Sequence, residues 1–94
     1  MFVLNVDLTV KSGSEQALEK TFKTVFVPAI SQQEGFVRTE LLRPTEAGGN
    51  YRLFIGFSTQ PLQQKWVAQP LHQEVWPQME TNFSKYVVVT YNTV

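Results

Sequence analysis

Four strand-like segments constrain the fold of this chain more than any other feature. In Phe2–Val10 the apolar residues alternate, so that Leu4, Val6 and Leu8 share one face of a predicted strand while Asn5 points to the other. Because three later segments are also rich in aromatic and β-branched residues, the chain is expected to build a sheet. These further strands are predicted at Phe36–Arg43, Tyr51–Ser58 and Ser84–Val94.

A helical stretch separates the first two strands. Ser12 followed by Glu15 fits a capping box and predicts a helix with Ser12 as its N-cap. Pro28 lacks an amide donor, so it predicts a kink or a break after Val27. The apolar stripe of this helix comprises Leu18, Phe22, Val25, Phe26 and Ala29.

A second helical stretch follows the third strand. Thr59 or Gln60 is predicted to cap a short helix that Pro61 opens, and Pro70 separates this helix from a longer one. The longer helix is predicted to extend to Phe83, with Pro77 straining it. Its apolar stripe comprises Leu71, Val75, Met79 and Phe83.

The element order predicts the fold class. Strand, helix, strand, strand, helix and strand in 94 residues give a single α+β domain over 1–94. The arrangement is a ferredoxin-like βαββαβ fold, a four-stranded antiparallel sheet with both helices on one face.

Apolar residues occur on both faces of the predicted sheet. Phe54 faces away from Leu53 and Ile55, and Val88 faces away from its two valine neighbours. Two helices can cover only one face, and a chain this short is of marginal stability alone. We therefore expect a homodimer formed through the sheet face opposite the helices.

Composition excludes several functional classes. Eight basic and eight acidic residues give a net charge of zero, which does not favour nucleic acid as a partner, and Tyr51–Ser58 lacks the glycine and aromatic pattern of an RNA-recognition strand. One histidine and one aspartate, Asp7, do not make a metal-ligand cluster. The absence of cysteine and of a long apolar run predicts a cytoplasmic protein without membrane partners.

The segment from Lys65 to Met79 is the candidate functional stretch. It contains both tryptophans, Trp66 and Trp76, and the only histidine, His72. At helical spacing His72 falls at the edge of the apolar stripe, so its imidazole is expected to face inward. Two interpretations remain open: a pocket wall, or a histidine packed in the core.

Several short motifs together resemble the family of antibiotic-biosynthesis-type monooxygenases, whose members are dimeric α+β barrels. The resemblance covers nearly the whole chain, and its strongest part is the run from Trp66 to Pro70-Leu-His72. The weaker parts are Val10-Lys-Ser-Gly13, Glu34-Gly35-Phe36 and Phe57-Ser58.

The resemblance implies a pocket between helices and sheet in which a small electron-rich aromatic, such as a phenol, a hydroquinone or a polyketide-like compound, is oxygenated without a cofactor. Such a site needs a dry slot, a proton acceptor and hydrogen-bond donors. His72 would be the catalytic base, and Tyr51 or Asn5 would be the donor. The substrate-binding walls would be Trp66, Trp76, Phe22 and Phe26.

Other interpretations of the same residues remain open. A noncatalytic dimer that binds a small ligand would have the same fold, with Phe22 and Phe26 as core residues and the Tyr51 hydroxyl in water. The haem-degrading branch of the family is a weaker match. It resembles this chain at Trp66, but the histidine expected ten residues later is replaced by Trp76.

Overall fold

A computed structural model describes residues 1–94 and contains one four-stranded antiparallel sheet. Across the sheet the strands lie in the order second, third, first and fourth of the chain, so the two strands at the centre are the first and the third. This confirms the predicted ferredoxin-like α+β fold. The strands are β1 (Phe2–Val10), β2 (Phe36–Leu42), β3 (Tyr51–Phe57) and β4 (Phe83–Asn92).

The helices divide into two groups. The first group is α1 (Glu15–Thr21), a π-helical segment (Phe22–Phe26) and α2 (Val27–Ile30), which follow one another without a gap. The second is α3 (Gln60–Val67) and α4 (Pro70–Glu80). Thr59 caps α3 by accepting a hydrogen bond from the Leu62 amide, as expected. The predicted extension of α4 to Phe83 was wrong, because Phe83 already pairs with Val10 in the sheet.

The predicted N-cap of the first helix was also wrong. Helix α1 begins at Glu15 with Ser14 before it, and no side chain caps it. Gly13 adopts a φ of +86°, which turns the chain between Ser12 and the helix. The Glu15 carboxylate accepts a hydrogen bond from the Gly13 amide and not from the Ser12 amide, so the expected capping box between Ser12 and Glu15 does not form.

Pro28 does not break the helix after Val27 as predicted. The helix widens one turn earlier instead, where the Val27 amide donates to the Phe22 carbonyl in a π-type bond. Because proline has no amide to donate to the Thr24 carbonyl, a widened turn accommodates it without a sharp kink. The rings of Phe22 and Phe26 therefore stack on the same side of the helix, with centroids 5.9 Å apart.

The predicted alternation of β2 fails at its first residues. The pairing with β3 shifts between Phe36 and Arg38, leaving Val37 as an extra residue. Phe36 and Leu41, which strict alternation places on opposite faces, both pack against the core. The bulge on this edge strand restores the apolar phase of the sheet.

The core lies between the helices and one face of the sheet. Leu8, Leu18, Ile30, Leu53 and Met79 are all inaccessible to solvent. The predicted inward face of β1 is therefore correct at Leu8, and the stripe of α4 is correct at Met79. No helix in the chain has both the length and the apolar character needed to cross a bilayer.

Candidate functional site

A cavity of about 260 Å³ lies between the sheet and the second group of helices. Its walls are mostly apolar, and its lining side chains come from β1, β3 and β4, from α3 and α4, and from the π-helical segment. Such a concave, largely apolar space with few polar groups is typical of small-molecule sites. The lining residues are Leu4, Val6, Phe26, Ile55, Gln63, Trp66, Val67, His72, Trp76, Tyr86 and Val88.

His72 lies in the cavity wall between the two tryptophans. Its ring meets Trp66 edge to face at 5.1 Å between centroids and lies nearly parallel to Trp76 at 6.1 Å. The Nδ1 atom is 3.5 Å from the Gln73 amide nitrogen, a distance too long for a strong bond, and Nε2 forms no hydrogen bond. Of the two interpretations left open by the sequence, the geometry matches the pocket wall.

Burial controls the protonation of His72. Desolvation by its aromatic neighbours lowers the pKa of the imidazole below the usual value of 6.5. The ring is therefore neutral at neutral pH, with a lone pair free to accept a proton. This is the state that a general base requires.

Trp66 and Gln63 form the α3 side of the cavity. Trp66 is only 2% exposed, and Gln63 lies three residues earlier on the same helix face and is also buried. The Gln63 amide forms no hydrogen bond with the rest of the chain. Since no fully buried side-chain polar atom is left unpaired, this amide keeps some solvent access, and Gln63 is one of the residues that line the cavity. Sequence reasoning missed Gln63, although its spacing from Trp66 could have indicated it.

Phe26 and Phe22 have different positions relative to the cavity. Phe26 is 1% exposed, lines the cavity and packs against Trp76 at 6.2 Å between centroids. Phe22 stacks behind Phe26 and borders another depression, together with Glu19 and Lys23. Phe22 therefore supports the wall without belonging to it.

Tyr51 lies away from the cavity. It is buried, and its hydroxyl donates to Glu19 Oε2 at 2.5 Å, so the hydroxyl is not in water as one interpretation expected. Glu19 in turn accepts from two nitrogens of Arg43. Hydrogen bonds from Arg43 and then from Tyr51 lower the Glu19 pKa to about 2. Burial and the Glu19 carboxylate raise the pKa of Tyr51.

The low pKa of Glu19 predicts acid sensitivity. A carboxylate with a lowered pKa stabilises the fold above its ordinary pKa of 4.5, and this contribution is lost as the pH falls toward 2. Glu19→Gln should therefore reduce the stability measured by urea unfolding at pH 7, and it should flatten the decline in stability below pH 4.5. Glu80→Gln, on an exposed helix end, is the control and should keep the wild-type profile. An unchanged pH profile for Glu19→Gln would show that the contacts of Glu19 with Arg43 and Tyr51 do not contribute to stability.

Asn5 does not face the cavity. Its neighbours across the sheet are Phe54 on β3 and Val89 on β4, both on the face without helices. Val6 takes the inward position beside the cavity, as the alternation of β1 predicts. The cavity therefore lacks an asparagine from the first strand.

Comparison with known proteins gives one family and many structures of the same fold. A family model described as antibiotic biosynthesis monooxygenase matches residues 1–77. SnoaB of Streptomyces nogalater, a cofactor-independent oxygenase crystallised as a point mutant, superposes with a TM-score of 0.86 at 18% identity, over 98% of this chain and 91% of that one. No curated protein sequence matches the chain significantly.

Two further structures show how widely the fold is used. MhuD of Mycobacterium tuberculosis, a haem degrader with two haems bound in its active site, has a TM-score of 0.81 at 20% identity, covering 100% of this chain and 96% of that one. A conserved protein from Methanosarcina mazei has the same score at 11% identity, with coverages of 100% and 94%. At such identities the likeness establishes the fold and not the reaction.

Proposed function

Because the chain belongs to the antibiotic biosynthesis monooxygenase family, we propose that it is a cofactor-independent monooxygenase whose cavity binds a small electron-rich aromatic, a phenol, hydroquinone or polyketide-like compound. The observation that carries this proposal is the neutral His72 imidazole, with Nε2 unpaired, in the wall of an apolar cavity. A volume of about 260 Å³ suits a ligand of one or two rings.

Each wall of the cavity has a role in this chemistry. His72 Nε2 accepts the proton of the substrate hydroxyl, and the resulting anion gives an electron to oxygen. Trp66, Trp76 and Phe26 hold the ring between flat apolar surfaces and exclude water. The amide of Gln63 donates a hydrogen bond to a substrate oxygen. One oxygen atom enters the ring and the other leaves as water, reduced by electrons from the substrate itself.

The test of this proposal is oxygen uptake by the purified chain with a series of hydroquinones, in buffer containing a chelator and no added cofactor. Uptake that is proportional to protein concentration and yields one oxygenated product supports the proposal. In parallel, a thermal-shift screen reports binding, since a ligand at about 100 times its Kd stabilises the fold by about 2.7 kcal/mol. Binding without uptake would favour the second candidate, a noncatalytic ligand-binding dimer.

Haem degradation has less support than either candidate. Asn5 lies on the opposite face of the sheet, and Trp76 stands at the position where the resemblance expects a histidine. Haem titration should therefore produce no Soret shift at equimolar protein.

A homodimer through the sheet face opposite the helices is part of the proposal. On that face Val87, Val89 and Tyr91 of β4 are about half exposed, and the partly exposed Phe54 of β3 lies on the same side, with the Arg38 guanidinium over its ring. The helices of the same chain lie on the other side and cannot cover this surface. A second copy would bury it, sheet against sheet.

Phe54→Lys tests the dimer. Phe54 lies on the helix-free face, whereas Val88, on the opposite face of its strand, lines the cavity. A lysine at position 54 would place an unpaired charge in the interface, so the variant should sediment as a monomer at micromolar concentration. Gln64→Lys, on the exposed side of α3, should remain dimeric. A wild-type chain that sediments as a monomer would refute the interface.

A further inference from the structure

Four aromatic rings form a continuous row from the buried side of the cavity to the surface. Trp66 contacts His72, His72 stacks on Trp76, and Trp76 meets Tyr86 edge to face at 5.8 Å between centroids. The two indole centroids are therefore no more than about 11 Å apart, with an imidazole between them. Exposure increases along the row, from 2% at Trp66 to 41% at Tyr86.

Only one of the three tyrosines takes part in this row. Tyr51 is buried in the pair with Glu19, and Tyr91 lies on the helix-free face opposite Val3. Neither forms an aromatic contact with a tryptophan, whereas Tyr86 contacts both Trp76 and Phe83. Tyr86 is thus the one phenol that combines contact with an indole and access to solvent.

We propose that Trp66, Trp76 and Tyr86 form an electron relay that removes oxidising equivalents from the cavity to the surface. Indole and phenol are the side chains most easily oxidised by one electron in a chain without cysteine. Oxidation of tyrosine is favoured when its proton can leave, and the exposed hydroxyl of Tyr86 can release this proton to water. Tyr86 and Trp76 are in ring contact, and the two indoles are no more than about 11 Å apart across His72, so transfer along the row is fast compared with diffusion of a radical out of an apolar cavity.

Each step of the proposed relay transfers one electron. A one-electron oxidant in the cavity, such as an organic or peroxyl radical, takes an electron from Trp66 and leaves an indole radical cation. Trp76 passes one electron to Trp66, and Tyr86 passes one to Trp76 while its phenolic proton goes to water. The result is a reduced oxidant and a neutral tyrosyl radical at the surface. A soluble thiol then returns a hydrogen atom to Tyr86 and becomes a thiyl radical.

Pulse radiolysis with azide radicals tests the relay without any substrate, because azide radicals oxidise tryptophan selectively. In the wild-type chain the tryptophanyl absorption should decay while tyrosyl absorption grows at the same rate, independently of protein concentration. Tyr86→Phe should lose most of this tyrosyl signal, and Tyr91→Phe should keep it. Trp76→Phe should slow the transfer. Equal tyrosyl growth in wild type and Tyr86→Phe would overturn the proposal.

The use of the relay during turnover rests on the proposed oxygenase function and needs a separate measurement. After many turnovers with a hydroquinone, Tyr86→Phe should accumulate more oxidised Trp66 and Trp76 in peptide mass spectra than Tyr91→Phe does. Transfer in the radiolysis experiment without any oxygen uptake would refute the oxygenase function and leave the relay intact. Uptake without transfer would refute only the relay.

Discussion

Replacing His72 by alanine is expected to lower oxygen uptake with a hydroquinone by a factor on the order of 10² to 10⁴, the usual contribution of a general base. The imidazole faces the cavity with Nε2 unpaired, and no other side chain lining the cavity can accept a proton at neutral pH. The loss should appear mainly in kcat, because the flat walls of Trp66 and Trp76 remain to bind the ring.

Two controls separate this effect from a loss of structure. His72→Gln keeps much of the volume and a hydrogen-bonding amide but has no basic nitrogen, so it should be as inactive as alanine. Gln73→Ala, at the exposed neighbour, should retain full uptake. A His72→Ala variant with wild-type uptake would refute the role of base. If His72 is only a packing residue, His72→Ala should lower the free energy of unfolding, and the wild-type chain should show no oxygen uptake.

Truncating Phe26 to alanine should have the largest effect on stability, a loss of about 3–5 kcal/mol in the free energy of unfolding. The ring is almost fully buried, stacks on Phe22 and packs against Trp76. Removal of the ring leaves a space in the core. The helix cannot shift to close it, because Phe22 before it and Ala29 and Ile30 after it are also packed in the core. Urea unfolding at pH 7 measures the change.

Val67→Ala is the matched control for this truncation. Val67 also borders the cavity, but it is 38% exposed and loses only two methyl groups, so the expected loss is below about 1 kcal/mol. If Phe26→Ala also costs less than about 1 kcal/mol, the Phe26 ring faces an open space and not a packed core. In that case part of the lost stability should return when an aromatic ligand is added.

The local patterns predicted the strands and helices well because each depends on neighbouring residues. Alternation in Phe2–Val10 gave the first strand, and Pro61 and Pro70 marked the starts of α3 and α4. The misassigned features depend on backbone geometry that composition does not encode. The left-handed Gly13 delayed the start of α1, and the extra residue Val37 changed the phase of β2.

The candidate site was only partly predictable. His72 and Trp76 are four residues apart on α4 and therefore share one side of that helix, whereas Trp66 reaches them from α3. Phe26 lies in the π-helical segment and contacts Trp76 of α4. The spacing of apolar residues placed Phe26 on the apolar stripe of its helix, but it did not indicate this contact. The Tyr51 pair with Glu19 joins residues separated by 32 positions, so no local pattern indicates it.

The most direct test of the central claim is an NMR pH titration of the imidazole, which is straightforward because His72 is the only histidine. We expect a pKa below 6.5 in the free chain, since burial among the indoles disfavours the charged ring. A bound hydroquinone should also shift the imidazole signals. A pKa of 6.5 or higher, with signals unchanged by any aromatic ligand that binds, would contradict the central claim.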